Sequence, residues 1–258
     1  LIVGDESFAA DLDDVTDRQA LAEHALGDDL QGGKYLHAGF FLGPRSFYEA
    51  LREMDDDKRR KIGMRSVAFT NQLYRHEQLN RHQRLDARFV NTAMKVTLTG
   101  GIVSDGLEDN RVVSGVGGQF NFVNMAHELE GGRSVIMVRS TRTSRGSVES
   151  NIVWNYGHIT IPRHLRDIVV TEYGVADLRH KSDAEVIGEM IKIADSRFQD
   201  GLIAKAKEAG KLPEDWTLPA EYRDNYPDRI EEALAPFRER GDLPRFPYGS
   251  ELTTEERR

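Results

Sequence analysis

Apolar positions along this chain recur at two spacings, and the two alternate. Short apolar or β-branched runs, expected as strands, fall at Tyr35–Phe41, Ser66–Phe69, Phe89–Leu98, Val112–Ser114, Ser134–Val138 and Ile168–Thr171. Helical patterns are expected at Thr16–Leu26, from Pro44 through Phe47, Tyr48 and Leu51, and at Asn121–Glu130, Ala184–Ala194, Phe198–Ala209 and Asp228–Glu239. In the Ala184–Ala194 segment, Val186, Ile187, Met190, Ile191 and Ala194 share one face, with polar residues between them. Strands and helices that take turns in this way predict an α/β fold with an open, mostly parallel sheet.

The same pattern divides the chain. Residues 1–30 are acidic and weakly patterned and read as a connector, 31–210 carry the α/β alternation, and 211–258 form an extension punctuated by Pro213, Pro219, Pro227, Pro236, Pro244 and Pro247. That extension is expected to wrap the surface or to pack on a missing neighbour. The charged Asp55–Lys61 stretch is expected as the solvated end of a helix and its exit turn.

At 258 residues and 39% hydrophobic content the chain can bury a real core. A net charge of −8 argues against nucleic acid or an anionic membrane as partner, and no apolar run approaches the roughly 20 residues that cross a bilayer. With no cysteine there is neither disulfide nor thiolate metal site, which fits a cytoplasmic location. His37, His127, His158 and His164 lack a ligand spacing such as His-Glu-x-x-His, and the turn of Asp105, Glu108 and Asp109 fails the calcium-loop pattern, so no metal is expected. Ser144, Ser147 and Ser150 form no Gly-x-Ser-x-Gly elbow, which excludes that route to serine hydrolysis. The chain opens at Leu1 without an initiator Met or signal peptide and reads as a piece of a longer polypeptide.

Candidate chemistry centres on Ser114-Gly115-Val116-Gly117-Gly118-Gln119-Phe120-Asn121-Phe122, which joins a β-rich run to a helix. Glycines let backbone N–H groups approach a ligand, and successive N–H groups at a turn can form an anion site. No Lys-Ser or Lys-Thr follows, so this is not a P-loop, and Phe120 stands where a dinucleotide fingerprint needs its third glycine. Gly115, Gly117, Gly118 and Gln119 are therefore candidates for holding some other carbonyl or phosphate, the alternative being a turn required only for packing. Glu172, at the end of Ile168–Thr171 and before Tyr173-Gly174, falls where ligands bind in open α/β sheets, or else pairs with Arg163, Arg166 or Arg179. Asn91 lies within a β-favouring run, where its amide could donate to a carbonyl or simply mark an edge. Trp154, Asn155 and Tyr156, near His158, form either a substrate mouth or packing.

Taken in order, Phe89-Val90-Asn91-Thr92-Ala93, the glycine loop, Gly131-Gly132-Arg133-Ser134, Pro162-Arg163-His164 and Val169-Val170-Thr171-Glu172-Tyr173-Gly174-Val175-Ala176-Asp177-Leu178-Arg179 resemble the C-terminal domain of the acetyl-CoA hydrolase/transferase family. Relatives in that family include 4-hydroxybutyrate and succinyl-CoA:acetate CoA-transferases. The resemblance runs from about Gly32 to about Ala209 and implies a CoA-transferase type of α/β fold, with acyl-CoA and small carboxylic acids as substrates and no permanently bound cofactor. It implies a glutamate that attacks the acyl-CoA carbonyl and carries CoA as a glutamyl thioester. Nothing in Leu1–Gln31 matches that nucleophile, so it is expected upstream, in an N-terminal half of the same polypeptide. The hydrophobic face such a missing half leaves makes homo-oligomerisation a further expectation. By resemblance, Gly117, Gly118, Gln119 and Asn91 would position the thioester carbonyl and Glu172 would orient the substrate. Arg163, with Arg139 and Arg142, would meet CoA phosphates. The competing expectation is a noncatalytic CoA-binding or interaction domain.

Overall fold

The computed structural model describes residues 33–144 and 146–247, with shorter stretches at 2–3, 6–7, 11, 13–25 and 252–253. The chain divides into two compact units: one takes the residues up to Thr70 and from Phe246 onward, the other Asn71–Arg245. The first contains β1 (Ile2–Val3), β2 (Glu6–Ser7), α1 (Val15–Ala25), β3 (Leu36–Ala38), α2 (Arg45–Glu53), α3 (Asp56–Arg60) and β4 (Ile62–Met64), followed by α4 (Val67–Asn71), which ends at the boundary. Strands β3 and β4 pair in parallel.

Several expectations for this unit need correction. Ser66–Phe69 is not a strand: α4 begins there, with the Ser66 hydroxyl accepting from the Phe69 N–H at 3.4 Å, as a capping serine does. Asp55–Lys61 is not a simple exit turn, because the Asp55 carboxylate caps α3 by accepting from the N–H groups of Asp57 and Lys58. The Tyr35–Phe41 run shrinks to three residues of β3, and Tyr35, Leu36 and Phe40 are exposed. The expected end of the first helix at Leu26 lies outside the described residues.

The second unit holds α5 (Glu77–Gln83), β5 (Arg88–Thr92), β6 (Lys95–Thr97), β7 (Ile102–Val103), α6 (Gln119–Glu128), β8 (Arg133–Met137), β9 (Thr141–Ser144), β10 (Ser147–Ser150), β11 (Ile152–Val153), β12 (Ile168–Thr171), β13 (Gly174–Asp177), α7 (Asp183–Lys192), α8 (Ser196–Glu208) and α9 (Pro227–Glu239). Its main sheet has the order β13-β12-β8-β5, parallel across β12, β8 and β5 and antiparallel at the β13 edge. A smaller sheet has the order β11-β6-β7. Phe89–Leu98 is thus two strands in two sheets, broken at Ala93-Met94, and Val112–Ser114 reduces to a single bridge between Val112 and Gly106.

Residues alternate across a strand. Ser134, Ile136, Val169 and Ala176 turn to one face of the main sheet and are buried. Val123 of α6 and Val186, Ile187, Met190 and Ile191 of α7 join the same core, each such side chain stabilising by about 1.5–3 kcal/mol when fully buried. A capping box between Ser182 and Glu185 starts α7 and fixes that apolar face in register. The opposite face of the sheet exposes Val90, Met137 and Val175. Parallel sheets are ordinarily covered on both sides, so this face is unlike the other. Past α8 the chain does not leave the core: Leu212 and Leu218 are buried, and Trp216 packs against the core cluster.

Candidate functional site

The parallel strands place their carboxyl ends along one edge, the edge at which ligands bind in open α/β sheets. The turn before α6 meets this edge through Gln119, whose buried amide donates to the Thr92 carbonyl at the end of β5, 3.2 Å away. That bond fixes the helix entrance beside the strand carrying Asn91. The first backbone bond of α6 runs from the Phe122 N–H to the Gly118 carbonyl, leaving the N–H groups of Gln119, Phe120 and Asn121 without acceptors in the helix. A helix of this length also presents the positive end of its dipole there.

The glycines differ from one another. Ser114 through Gly117 are exposed, and a Cβ at Gly115 or Gly117 would meet no atom within 4 Å, so the turn opens outward. Gly117 has φ 62, in the left-handed region that only glycine enters at little cost. Gly118 has φ −89, but a Cβ there would lie 2.1 Å from the Asn71 amide nitrogen. Glycine at 118 is thus required by the close approach of a side chain, and glycine at 117 by the backbone.

Asn91 and Phe89 alternate onto the face of β5 under α6, where Phe89 stacks near Phe122 at 5.7 Å. The Asn91 amide nitrogen is buried and donates to nothing among the described residues. A buried donor without a partner costs about 1–3 kcal/mol.

Glu172 follows β12 on the same edge, with β8 between it and β5. The expected alternative partners, Arg163, Arg166 and Arg179, do not reach it. Ser140 holds it instead, donating its N–H at 2.9 Å to one carboxylate oxygen and its hydroxyl at 2.5 Å to the other. Ser140 is fully buried while Glu172 is exposed, so the carboxylate is anchored from below and open above. Beside it, the Tyr173 hydroxyl donates to Asp195 at 3.1 Å; burial, then the Asp195 charge, pushes the phenol well above its ordinary value.

Arg163 lies elsewhere. It sits in a 3-10 turn (Arg163–Leu165) that precedes the amino ends of the strands, paired with Asp183 at 3.0 Å. Arg142 pairs with Glu149 at 2.8 Å, and Arg139 is exposed. Asn91, Gly118, Gln119 and Glu172 thus share one edge, and Arg163 stands at the other.

A family model described as the acetyl-CoA hydrolase/transferase C-terminal domain matches residues 43–206. The chain belongs to this family. It is 33% identical over 172 residues to the "Probable butyrate:acetyl-CoA coenzyme A-transferase" of Syntrophomonas wolfei, covering 66% of this chain and 36% of that protein. It is also 33% identical over 130 residues to the acetyl-CoA hydrolase of Yarrowia lipolytica, covering 49% and 24%. Among solved structures, RipA from Yersinia pestis superposes with a TM-score of 0.56 at 30% identity, over 68% of this chain and 37% of that one. The chain therefore spans from about a quarter to little more than a third of the length of these proteins.

Within this acetyl-CoA hydrolase/transferase domain three further features stand out, the first two of which sequence reasoning missed. Ser140, which positions Glu172, and Asn71, which crowds Gly118, are both distant in sequence from the groups they touch. The third is a cavity of about 610 Å³ whose walls include Lys95, Trp154, Asn155, Tyr156 and Phe198. The aromatic cluster seen in the sequence thus lines a cavity. The Lys95 ammonium donates to the Ser150 carbonyl at 3.1 Å and lies 5.8 Å from the Tyr156 ring centre; burial, then Arg142, lowers its hold on the proton. His158 does not line this cavity: it pairs with Asp105 at 3.0 Å. The Thr160 hydroxyl and then His158 hold the Asp105 carboxyl below its ordinary value. Among the described residues no group of three His, Cys, Asp or Glu side chains could hold a metal ion, and no helix is long and apolar enough to cross a membrane.

Proposed function

We propose that this chain is the C-terminal half of an acyl-CoA transferase or hydrolase that binds the thioester at the carboxyl edge of β5, β8 and β12. A glutamate carboxylate adds to the thioester carbonyl and the C–S bond breaks, giving an acyl-glutamyl anhydride and CoA thiolate. The thiolate then attacks the glutamyl carbonyl, the anhydride C–O bond breaks and the acyl group leaves as its free carboxylate. The resulting glutamyl thioester passes CoA to a second carboxylate by the reverse steps or is hydrolysed by water. The attacking glutamate belongs to the part of the polypeptide upstream of residues 1–258. This half supplies the oxyanion donors: the backbone N–H groups at Gly118 and Gln119, with the Asn91 amide, face the oxygen that gains charge. Such donors contribute about 3–4 kcal/mol each when aimed at a developing oxyanion. Glu172, held by Ser140, orients the acyl donor or acceptor.

The observation that carries this reading is the conjunction at one strand edge of an outward-opening glycine turn, a helix N-terminus and the unpartnered Asn91 donor. An adduct between acetyl-CoA and a glutamate of the complete polypeptide, trapped with hydroxylamine or borohydride and located by mass spectrometry upstream of this domain, is the expected result. The test continues with the isolated chain, which should bind CoA without releasing free thiol from acetyl-CoA. Thiol release by the chain alone would move the nucleophile into it, with Glu172 first in line, and CoA binding without any adduct in the complete polypeptide would favour a noncatalytic binding domain.

A further inference from the structure

At the amino edge of the same sheet, opposite the glycine turn, lies a cavity of about 530 Å³ bounded by the last turn of α6, the 3-10 turn and the segment between β13 and α7. Its walls are basic. Arg163, Arg166, Arg179 and Lys181 line it together with His127 and His164, and no acidic side chain does. The carboxylates that answer these cations are Asp183, Asp167 and Glu189, and each is shared with a further basic residue: Lys211, Arg133 and Lys192 respectively. Cations are therefore in excess here, although the whole chain carries −8.

Two wall residues also keep buried nitrogens that no described atom satisfies. One is the Arg179 Nε, whose guanidinium otherwise donates to the Gly132 carbonyl at 2.9 Å and to Asp167 at 2.6 Å. The other is the His127 Nε2. The His127 Nδ1 lies 2.9 Å from the Val123 carbonyl and so carries a proton, and Nε2 is the ring nitrogen left without a described partner. Planar guanidinium forks beside imidazoles suit the oxygens of a phosphate.

We infer that this cavity is a second anion site that takes a phosphate-bearing small molecule, bound in addition to the acyl-CoA at the opposite edge. It goes beyond the proposed transfer reaction, which does not use it. The cavity is several times larger than one phosphate needs, so a diphosphate fits its charge and its space.

The test is isothermal titration of the chain with inorganic pyrophosphate, repeated in the presence of saturating CoA. Saturable one-site binding is expected, weakening at least tenfold in Lys181→Glu and in His164→Glu and falling with added salt, since surface ion contacts are screened. CoA is expected to leave pyrophosphate binding unchanged, and both variants should keep the CoA affinity of the parent chain. No saturable binding overturns the inference, as does binding that either variant leaves intact or that CoA displaces. A parallel titration with ADP separates the sources: tighter binding than pyrophosphate identifies a nucleotide site, and equal binding a site for the phosphates alone. Because CoA binding is read separately, failure of this site and failure of the transferase reading give different results.

Discussion

At the amino edge of the parallel strands Asp167 is withdrawn from solvent, and it accepts from the Arg133 Nε, the Ser134 N–H and the Arg179 guanidinium at 2.9, 2.7 and 2.6 Å. At the carboxyl edge, Gly115 and Gly117 face open space and the Asn91 amide nitrogen donates to nothing among the described residues. Around Asp167 the first edge ties its polar groups to one another and so fixes the sheet. The second leaves donors without partners, an arrangement that costs stability in the chain as it stands.

The largest effect is expected at the Asp167 cluster. Asp167→Ala leaves Arg133 and Arg179 without their shared carboxylate, and breaking a buried charge network this way costs about 3–5 kcal/mol. Urea denaturation measures it, and a loss under about 1 kcal/mol would erase the distinction between the edges. At the open edge the reverse split is expected. Asn91→Leu should lower turnover of the complete polypeptide by about 10²–10³-fold while its unfolding midpoint holds or rises, because an unpaired buried donor has been removed. A fall in midpoint that matches the fall in activity would make Asn91 a structural residue.

The two glycines sharpen the contrast further. Gly117→Ala is strained by its φ of 62 and should cost about 1–2 kcal/mol in any background. Gly118→Ala carries no such backbone penalty, so its cost should shrink when Asn71, the side chain it would strike, is cut back to alanine. The smallest effect is the pH dependence of the amino edge. Hydrogen bonding from Arg166 lowers the Asp183 carboxyl, and at Asp177 burial opposes ionisation but Arg133 outweighs it. Both carboxylates thus titrate lower in the folded chain than in the unfolded one. Their contribution is complete above the unfolded value of about 3.9 and is lost as pH falls through the lower folded values. Melting temperature should be insensitive to these groups from pH 7 to 5 and decline below about pH 4; a decline beginning near pH 6 would point to other groups.

What was legible in the sequence is what depends on neighbours in the chain. Ile168–Thr171 is a strand as expected, and the helix expected at Ala184–Ala194 forms at Asp183–Lys192, because apolar period and capping residues act within a few positions. The Ser66 cap shows the limit: Val67, Phe69 and Thr70 favour strands, yet the local hydroxyl bond decides for a helix. The break at Ala93-Met94 was hidden because both halves of Phe89–Leu98 are strand-like, and only their different partners, β8 and β11, separate them. The glycine turn and Glu172 stood out by composition and position. Their supports did not, since Ser140 is thirty-two residues from Glu172 and no periodicity connects them.

Gln199 gives the proline-rich extension a meaning that its composition conceals. From the buried interior of α8 its one amide nitrogen reaches the carbonyls of Ile191, Ala194 and Tyr222, at 3.1, 3.2 and 2.8 Å, and Asn225 ties back to Lys192 and Ala194 at 2.7 and 2.9 Å. The stretch up to Asn225 is therefore a ligature around the end of α7. Anyone trimming this protein should cut after that asparagine, because an earlier cut unties the knot, and one before Leu212 also strips Leu212 and Leu218 from the interior.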